Sequence, residues 1–383
     1  MFRRRRKRLW SRAARAPRSR NPGKGTSVSE GRRLRVGDVV EVASREDILR
    51  TLDSRGRLDG LPFMPEMFAL CGQRLRVFRR AHKTCDTTSG LKESHQSRRM
   101  KNAVHLDGVR CDGGAHGQCE AGCLIFWKEA WLKPGEVAGE DRADGWPAPV
   151  SPIEDVARGS GRCTEADVLA ATQCTPGDEA HEPIFVCQAT ELAVAAEPLR
   201  WWKAWQYIED YTSGNVGLGQ VVRGFAHRAY QNLINLGIGL GAPLRWLYDA
   251  IQHLRGGTPY PHRTGRIPVG EATPAARLDL QVGEAVRVRS YEEILATCDH
   301  ENKNRGLRFD PEMVPYCDGT YRVLKRITRI IDEVTGRMQV LRNACIVLDG
   351  VVCRARYSDC RLFCPRSIYP YWREIWLERR PRS

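Results

Sequence analysis

Two stretches of the chain alternate apolar and polar residues, and each is followed by a short helical signal. The segments "DVVEVAS" and "AVRVRS" alternate in the way that a half-buried strand does. Each leads into a segment with a Ser at the expected N-cap and acids in the first turn, "SREDILRTL" and "SYEEILATC". Later, "YRVLKRITRIIDEVTGRMQVLRN" predicts a β-hairpin that turns at Thr335 and Gly336. The pattern predicts strand-rich units with one short helix each.

The middle of the chain has a helical period instead. Val221, Phe225, Ala229 and Leu233 recur at helical spacing, and "APLRWLYDAIQHL" predicts a second helix with Pro243 in its first turn. A stretch rich in Pro, Gly and acids precedes these helices and is typical of a linker. We therefore expect a mostly helical middle part.

The two strand-rich units are copies of one another. "VGDVVEVASREDILRTLD" aligns with "VGEAVRVRSYEEILATCD", and about 20 of 45 ungapped positions are identical when the match is extended. Both copies end on a "W(K/R)E(A/I)WL" pattern. The chain thus divides into a basic tail, a first cysteine-rich repeat, a linker with a helical middle domain, and a second cysteine-rich repeat, at 1–33, 34–133, 134–275 and 276–383.

Several short strands in about 100 residues, entered through Val-Gly-Asp or Val-Gly-Glu, are typical of a small β-barrel. In the number and spacing of their predicted strands, the repeats resemble SH3-like barrels of the KOW type. The resemblance implies an α+β protein in which two small SH3-like β-barrel repeats flank a mostly helical middle domain.

The net charge of +15 belongs mainly to the N-terminal tail. Residues 1–24 hold eleven Lys or Arg and no acid, which leaves 50 of the 61 basic residues against 46 acidic ones. Such a tail can bind nucleic acid or an anionic membrane face nonspecifically, or simply be a solubilising extension. No apolar stretch follows its arginines as in a secretory signal, and no apolar run is long enough to span a membrane. We expect a cytoplasmic protein.

Fourteen cysteines are unusual for a chain in a reducing compartment. The alignment pairs Cys71 with Cys317, and then three clustered cysteines of one copy with three of the other: Cys111, Cys119 and Cys123 with Cys353, Cys360 and Cys364. Four thiolates are what a tetrahedral zinc site requires, so these eight residues are candidate metal ligands. Cys119 and Cys123 would share one face if a helix formed there. Buried thiols and disulfides stay open as alternatives.

Further cysteines lie outside the matched set. Cys85, Cys163, Cys174 and Cys187 could form another quartet, for zinc or an iron–sulfur cluster. His116 lies inside the first cysteine cluster and has no counterpart in the second.

The segment "PLRWWKAWQYIEDYTSGN" is the most aromatic in the chain. Arg200, Trp201, Trp202 and Trp205 are candidate ligand-binding residues, since indole rings stack on bases and sugars, although core packing explains the same pattern.

Two classes of function remain open. One is a zinc-stabilised binding or assembly protein with a protein or nucleic-acid partner. The other is a metal- or iron–sulfur-dependent enzyme whose site lies between the repeats and the middle domain.

Overall fold

The computed structural model describes residues 33–87, 97–135, 163–174, 182–237, 239–358 and 361–380. Almost all of the predicted tail, most of the predicted linker and the candidate ligand Cys360 lie outside these described residues. Within them, helices and antiparallel strands occur together, as expected for an α+β protein.

The first repeat consists of short strands and one α-helix. The strands are β1 (Val39–Val42), β2 (Arg57–Leu58), β3 (Leu61–Pro62), β4 (Arg74–Arg80), β5 (Lys83–Cys85), β6 (Ser97–Arg99), β7 (Ala103–Leu106), β8 (Trp127–Lys128) and β9 (Leu132–Pro134), and the helix is α1 (Arg45–Thr51). Five strands form an antiparallel sheet in the order β8-β7-β4-β1-β9. Ser44 caps α1 as predicted, because its hydroxyl accepts the amide of Asp47 at 3.2 Å.

The middle part is helical, with three short strands. Its elements are α2 (Glu165–Ala170), β10 (Gln173–Cys174), β11 (Ile184–Phe185), α3 (Leu192–Ala195), β12 (Glu197–Leu199), α4 (Trp205–Thr212), α5 (Leu218–Ile234) and α6 (Gly241–Leu254). Strand β12 pairs with β6, so the middle part continues a small sheet of the first repeat, in the order β12-β6-β5.

The second repeat has the predicted hairpin at its centre. Its elements are β13 (Ala285–Val288), α7 (Tyr291–Leu295), β14 (Lys303–Asn304), β15 (Leu307–Arg308), β16 (Thr320–Ile331), β17 (Met338–Leu348) and β18 (Leu377–Arg379). Strands β16 and β17 form the hairpin, and the sheet order is β17-β16-β13-β18. The sheets of both repeats are antiparallel, and the SH3-like barrel stays a prediction.

The two repeats use the same contacts in their cores. The indole of Trp131 donates to the hydroxyl of Thr51 at 3.0 Å, and the indole of Trp376 donates to that of Thr297 at 2.9 Å. Both tryptophans are fully buried. Each contact fastens the end of its repeat to the helix near its start.

Backbone hydrogen bonds define which residues of the two cysteine loops are equivalent. The amide of Cys111 donates to the Cys123 carbonyl at 2.8 Å, and the amide of Cys353 donates to the Ile368 carbonyl at the same distance. Cys123 therefore corresponds in the structure to Ile368. Counting back four residues makes Cys364 the counterpart of Cys119, whereas the sequence alignment pairs it with Cys123. The loop after Cys353 is longer by three residues, which shifts the match.

Each cysteine loop packs on the other repeat. The Glu120 carboxylate, in the loop of the first repeat, accepts the amides of Thr328 at 2.5 Å and Arg329 at 3.1 Å on β16. In the opposite direction, the backbone carbonyl of Leu362, in the loop of the second repeat, accepts a hydrogen bond of 2.7 Å from the ammonium of Lys83 on β5. The two repeats are therefore joined reciprocally through their cysteine loops.

Candidate metal centres between the two repeats

The first cysteine cluster lies in the loop that joins β7 to β8. The loop turns at Gly113, which has a φ of +77° and where a Cβ would overlap the backbone of Cys119. The hydrogen bond from Cys111 to Cys123 closes the loop. The backbone between Cys119 and Cys123 is irregular and includes a positive φ at Gly122. The helical face considered for these two cysteines does not form.

Three different ligand types meet at the base of this loop. Cys111, His116 and Glu66 each place one ligand atom within 4.8 Å of the others. His116 Nε2 lies 3.3 Å from Cys111 Sγ. His116 is 1 % exposed, and among the described residues neither its Nδ1 nor either carboxylate oxygen of Glu66 has a hydrogen-bond partner. Buried polar atoms are almost always hydrogen-bonded, and a cation held by His116 Nε2 would satisfy the Glu66 carboxylate. This group could hold a metal ion.

Further thiols surround the same space. Cys111 and His116 line a cavity of about 40 Å³ together with Cys119, Cys123 and Cys187. Cys187 comes from the segment between β11 and α3. Tetrahedral zinc holds thiolates about 3.8 Å apart, as follows from Zn–S bonds of about 2.3 Å. In the described part of the chain no three thiols lie within 4.8 Å of one another, so these cysteines encircle the cavity and do not converge on a point.

Burial shifts the pKa values of the acidic groups that line this cavity. It raises the pKa of Cys123 to about 12 and that of Cys187 to about 11. Burial, followed by the neighbouring Glu66 carboxylate, raises the pKa of Cys111, and burial raises that of Glu66 itself. Without a cation the three thiols keep their protons at neutral pH. Metal binding requires the thiolate and would release those protons, so binding would tighten as the pH rises.

The second cluster combines cysteines of both repeats. Cys85 on β5 lines a cavity of about 20 Å³ with Cys353 and Cys364 from the loop after β17. The amide of Cys85 donates to Cys364 Sγ at 3.1 Å. The hydrogen bond between the two thiols, helped by Arg366 and Arg361, lowers the pKa of Cys85, while the same bond and burial raise that of Cys364. The pair therefore gives up its first proton more readily than an isolated thiol.

Arg366 lies between the two clusters and lines both cavities. Its side chain is buried, and it donates to Glu333 at 2.9 Å and to the Thr87 hydroxyl at 2.7 Å. Burial alone would lower its pKa, but Glu333 and the thiols of Cys85 and Cys123 outweigh that effect and raise it. A permanent guanidinium charge here favours thiolates in both cavities.

Two candidate ligands are placed away from the cavities. Cys71 and Cys317 each follow the 3₁₀ helix of their repeat, at Pro65–Leu70 and Pro311–Tyr316, and line neither cavity. Each cluster instead receives a cysteine from another part of the chain, Cys187 in the first and Cys85 in the second.

The structure does not bring together the four further cysteines that were predicted as a possible second kind of site, Cys85, Cys163, Cys174 and Cys187. Cys163 is buried in the core of the first repeat, and Cys174 is exposed on β10. Cys85 and Cys187 line different cavities. The described cysteines are all free thiols.

The aromatic candidates lie around the start of α4. Trp202 and Trp205 are exposed, while the guanidinium of Arg228 stacks on Trp201 at 3.8 Å and that of Arg200 lies 5.1 Å from the Trp202 ring. Their exposure is compatible with ligand contact, and a ligand-binding role stays a prediction.

Two residues of these clusters, Glu66 and Arg366, are not singled out by the sequence patterns described above. For Glu66 a signal existed, because Glu312 occupies the same place in the second copy of the "PEM" pattern. Glu312 also contacts its own cysteine loop, where it accepts the amide of Tyr357 at 2.5 Å.

Comparisons with known proteins assign no family to this arrangement. No protein-family model matches the chain, and no curated protein matches it significantly. Among the described helices, none has both the length and the apolar character needed to cross a membrane.

His105 gives a pH test of the packing behind the first cluster. It is fully buried on β7, its Nδ1 hydrogen-bonds to the Ile125 carbonyl at 2.9 Å, and burial lowers its pKa from 6.5 to about 4. Its contribution to stability is complete above pH 6.5. We expect it to be lost as the pH falls from 6.5 to 4, by about 3 kcal/mol at 1.36 kcal/mol per pH unit.

The measurement is the free energy of unfolding as a function of pH, in the wild type and in His105→Gln. Other carboxyl groups titrate in the same window, so the difference between the two curves isolates His105. A difference that stays constant between pH 6.5 and 4 would contradict the assignment.

Proposed function

We propose that this protein is a metal-stabilised binding or assembly protein with two cysteine-lined zinc sites, of which the first fastens the first repeat to the middle domain and the second fastens the first repeat to the second. The ligands of the first site come from Cys111, Cys119, Cys123 and Cys187, with His116 and Glu66 beside them. Those of the second come from Cys85, Cys353 and Cys364.

The observation that carries the proposal is the reciprocal packing of the two loops. Cys85 of the first repeat meets Cys353 and Cys364 of the second. The thiol of Cys119 in the first repeat accepts the amide of Ile331 in the second at 3.4 Å. A metal at either place would bond residues that are far apart in sequence, so its binding free energy would add directly to folding.

The donor set fits zinc. Thiolate and imidazole ligands favour zinc or iron–sulfur clusters over magnesium and calcium, which prefer oxygen. The carboxylate of Glu66 is an accepted zinc ligand beside Cys and His. The first site offers at least four protein ligands, and zinc sites closed by four protein ligands are structural as a rule. This supports a scaffold that presents a surface to a partner.

An iron–sulfur redox protein is the second candidate, and one observation favours it. The thiols of the first cavity surround it and do not converge on one point, and a cluster holds thiolates that are farther apart than the ligands of a single ion. Arg366 lines both cavities, so two clusters would be neighbours. Such an arrangement would support electron transfer between them.

The deciding experiment is metal and sulfide analysis with an ultraviolet–visible spectrum, on protein purified without chelator or oxygen. We expect about two zinc ions per chain and no visible absorbance, because zinc has a filled d shell. Iron with acid-labile sulfide and visible absorbance would establish the second candidate instead. A metal-free protein that also fails to take up zinc or reconstituted clusters would contradict both.

A further inference from the structure

The long helix α5 turns an apolar face away from the protein. Its packed side contains Gly224, Gln231 and Ile234, and a Cβ at Gly224 would lie 2.5 Å from the Phe363 ring. On the opposite side, apolar residues recur every three or four positions, as on one face of a helix. The exposed members and the residue just after the helix are Leu218, Val222, Leu233 and Leu236.

Helix α6 also turns an apolar face away from the protein. Its inner side contacts α5 through Tyr248, whose ring lies 5.7 Å from that of Tyr230. No residue of α6 is buried. Its outer side carries Trp246, Leu247, Ile251 and Leu254, of which Trp246 is 71 % and Leu254 86 % exposed. We call these outward residues of α5 and α6 the helical hairpin face.

The charges around this face are basic. Arg223, Arg245 and Arg255 are exposed on α5, on α6 and directly after α6. The acids of the same region are already paired. Asp249 lies 2.5 Å from Arg263, while Glu209 and Asp210 of α4 are bound to Arg80 and Lys83 of the first repeat, as Arg80–Glu209 and Lys83–Asp210. The surface beside the hairpin face therefore carries unbalanced positive charge.

The basic tail joins the body next to these helices. The amide of Val36 donates to the carbonyl of Ser213 at the end of α4 at 3.0 Å, and Arg33 lies 3.6 Å from Glu209. The residues before this point include eleven Lys or Arg without an acid in 1–24. The basic tail is thus a second source of positive charge, and it begins beside helices α5 and α6.

We propose that the helical hairpin face lies in the interface of an anionic lipid membrane, with the basic tail contacting the lipid headgroups. An apolar face with Trp and Leu, flanked by Arg, is the pattern of helices that lie in the membrane surface, and one such element with a polybasic segment gives stable attachment. The face is mainly aliphatic, which favours lipid over nucleic acid, since aliphatic side chains cannot stack on bases. This proposal is independent of the metal sites.

The test is co-sedimentation of the full chain with vesicles of phosphatidylcholine alone or with one third phosphatidylglycerol. We expect binding to the anionic vesicles and much weaker binding to the neutral ones. Leu247→Gln with Leu254→Gln should lower the partition coefficient at least about tenfold, because two buried side chains leave the acyl boundary. Leu218→Gln with Leu236→Gln on α5 should act in the same way.

The matched control is Val334→Gln with Val340→Gln, two exposed apolar residues of the β16–β17 hairpin that should leave vesicle binding unchanged. Vesicle binding that survives both hairpin-face variants would overturn the proposal and assign the attachment to the tail alone. The proposal also fails if the face variants abolish self-association or RNA binding while the wild type ignores vesicles.

Discussion

Replacing Cys187 by Ser is expected to remove one of the two metal ions and to lower the free energy of unfolding by about 4 kcal/mol, the linkage free energy of a metal present at about 1,000 times its dissociation constant. Cys187 lies far from the cysteine loop in sequence but lines the same cavity as Cys111 and Cys123. Metal content and denaturant unfolding, each with and without a chelator, measure the effect. The chelator should destabilise the wild type more than the variant.

Cys71→Ser is the matched control, since this half-buried cysteine packs against the same hydrophobic core as Cys187 and lines neither cavity. It should keep both metal ions. Cys85→Ser should remove the ion of the second site, although Cys85 belongs to the first repeat. Loss of metal in Cys71→Ser with full retention in Cys187→Ser would restore the ligand set suggested by the sequence alignment.

Asp210→Ala is expected to lower the free energy of unfolding by about 3 to 5 kcal/mol, because it leaves the buried ammonium of Lys83 without its counter-charge. Both side chains are fully buried, and the Lys83 Nζ lies 2.5 Å from Asp210 Oδ2. Burial already lowers the pKa of Lys83, and Asp210 opposes that shift. The same ammonium holds the Leu362 carbonyl in the second cysteine loop. Denaturant unfolding measures the loss.

Two variants make this prediction specific. The double change Lys83→Met with Asp210→Leu should recover most of the lost stability, because an apolar pair needs no counter-charge. Glu197→Ala breaks the Lys101–Glu197 pair, which has the same 2.5 Å separation but is mostly exposed, and should leave the unfolding midpoint unchanged. Equal effects of Asp210→Ala and Glu197→Ala would show that burial of the pair does not matter.

Local elements were predictable from the sequence because their signals are local. The strand alternation, the Ser caps and the turn before Gly336 are set by neighbouring residues, and the structure contains each of them. The composition of the clusters was not predictable in this way. Cys85 and Cys364 are 279 residues apart, and only the docking of the repeats brings them together.

The helical period of the middle part shows a second limit. It correctly indicates that Phe225 and Leu233 share a face of α5, and that face would ordinarily be assigned to a core. Both residues are exposed. Periodicity identifies the residues on one side of a helix, but it does not say whether this chain or another surface covers that side.

X-ray absorption at the zinc edge tests the central claim, that metal ions bond distant parts of the chain through thiolates. The account predicts a first shell dominated by sulfur at about 2.3 Å in the wild type, with the height of the zinc edge per chain about halved in both Cys187→Ser and Cys85→Ser. A first shell of oxygen and nitrogen alone, or an edge height per chain that neither variant changes, would contradict it.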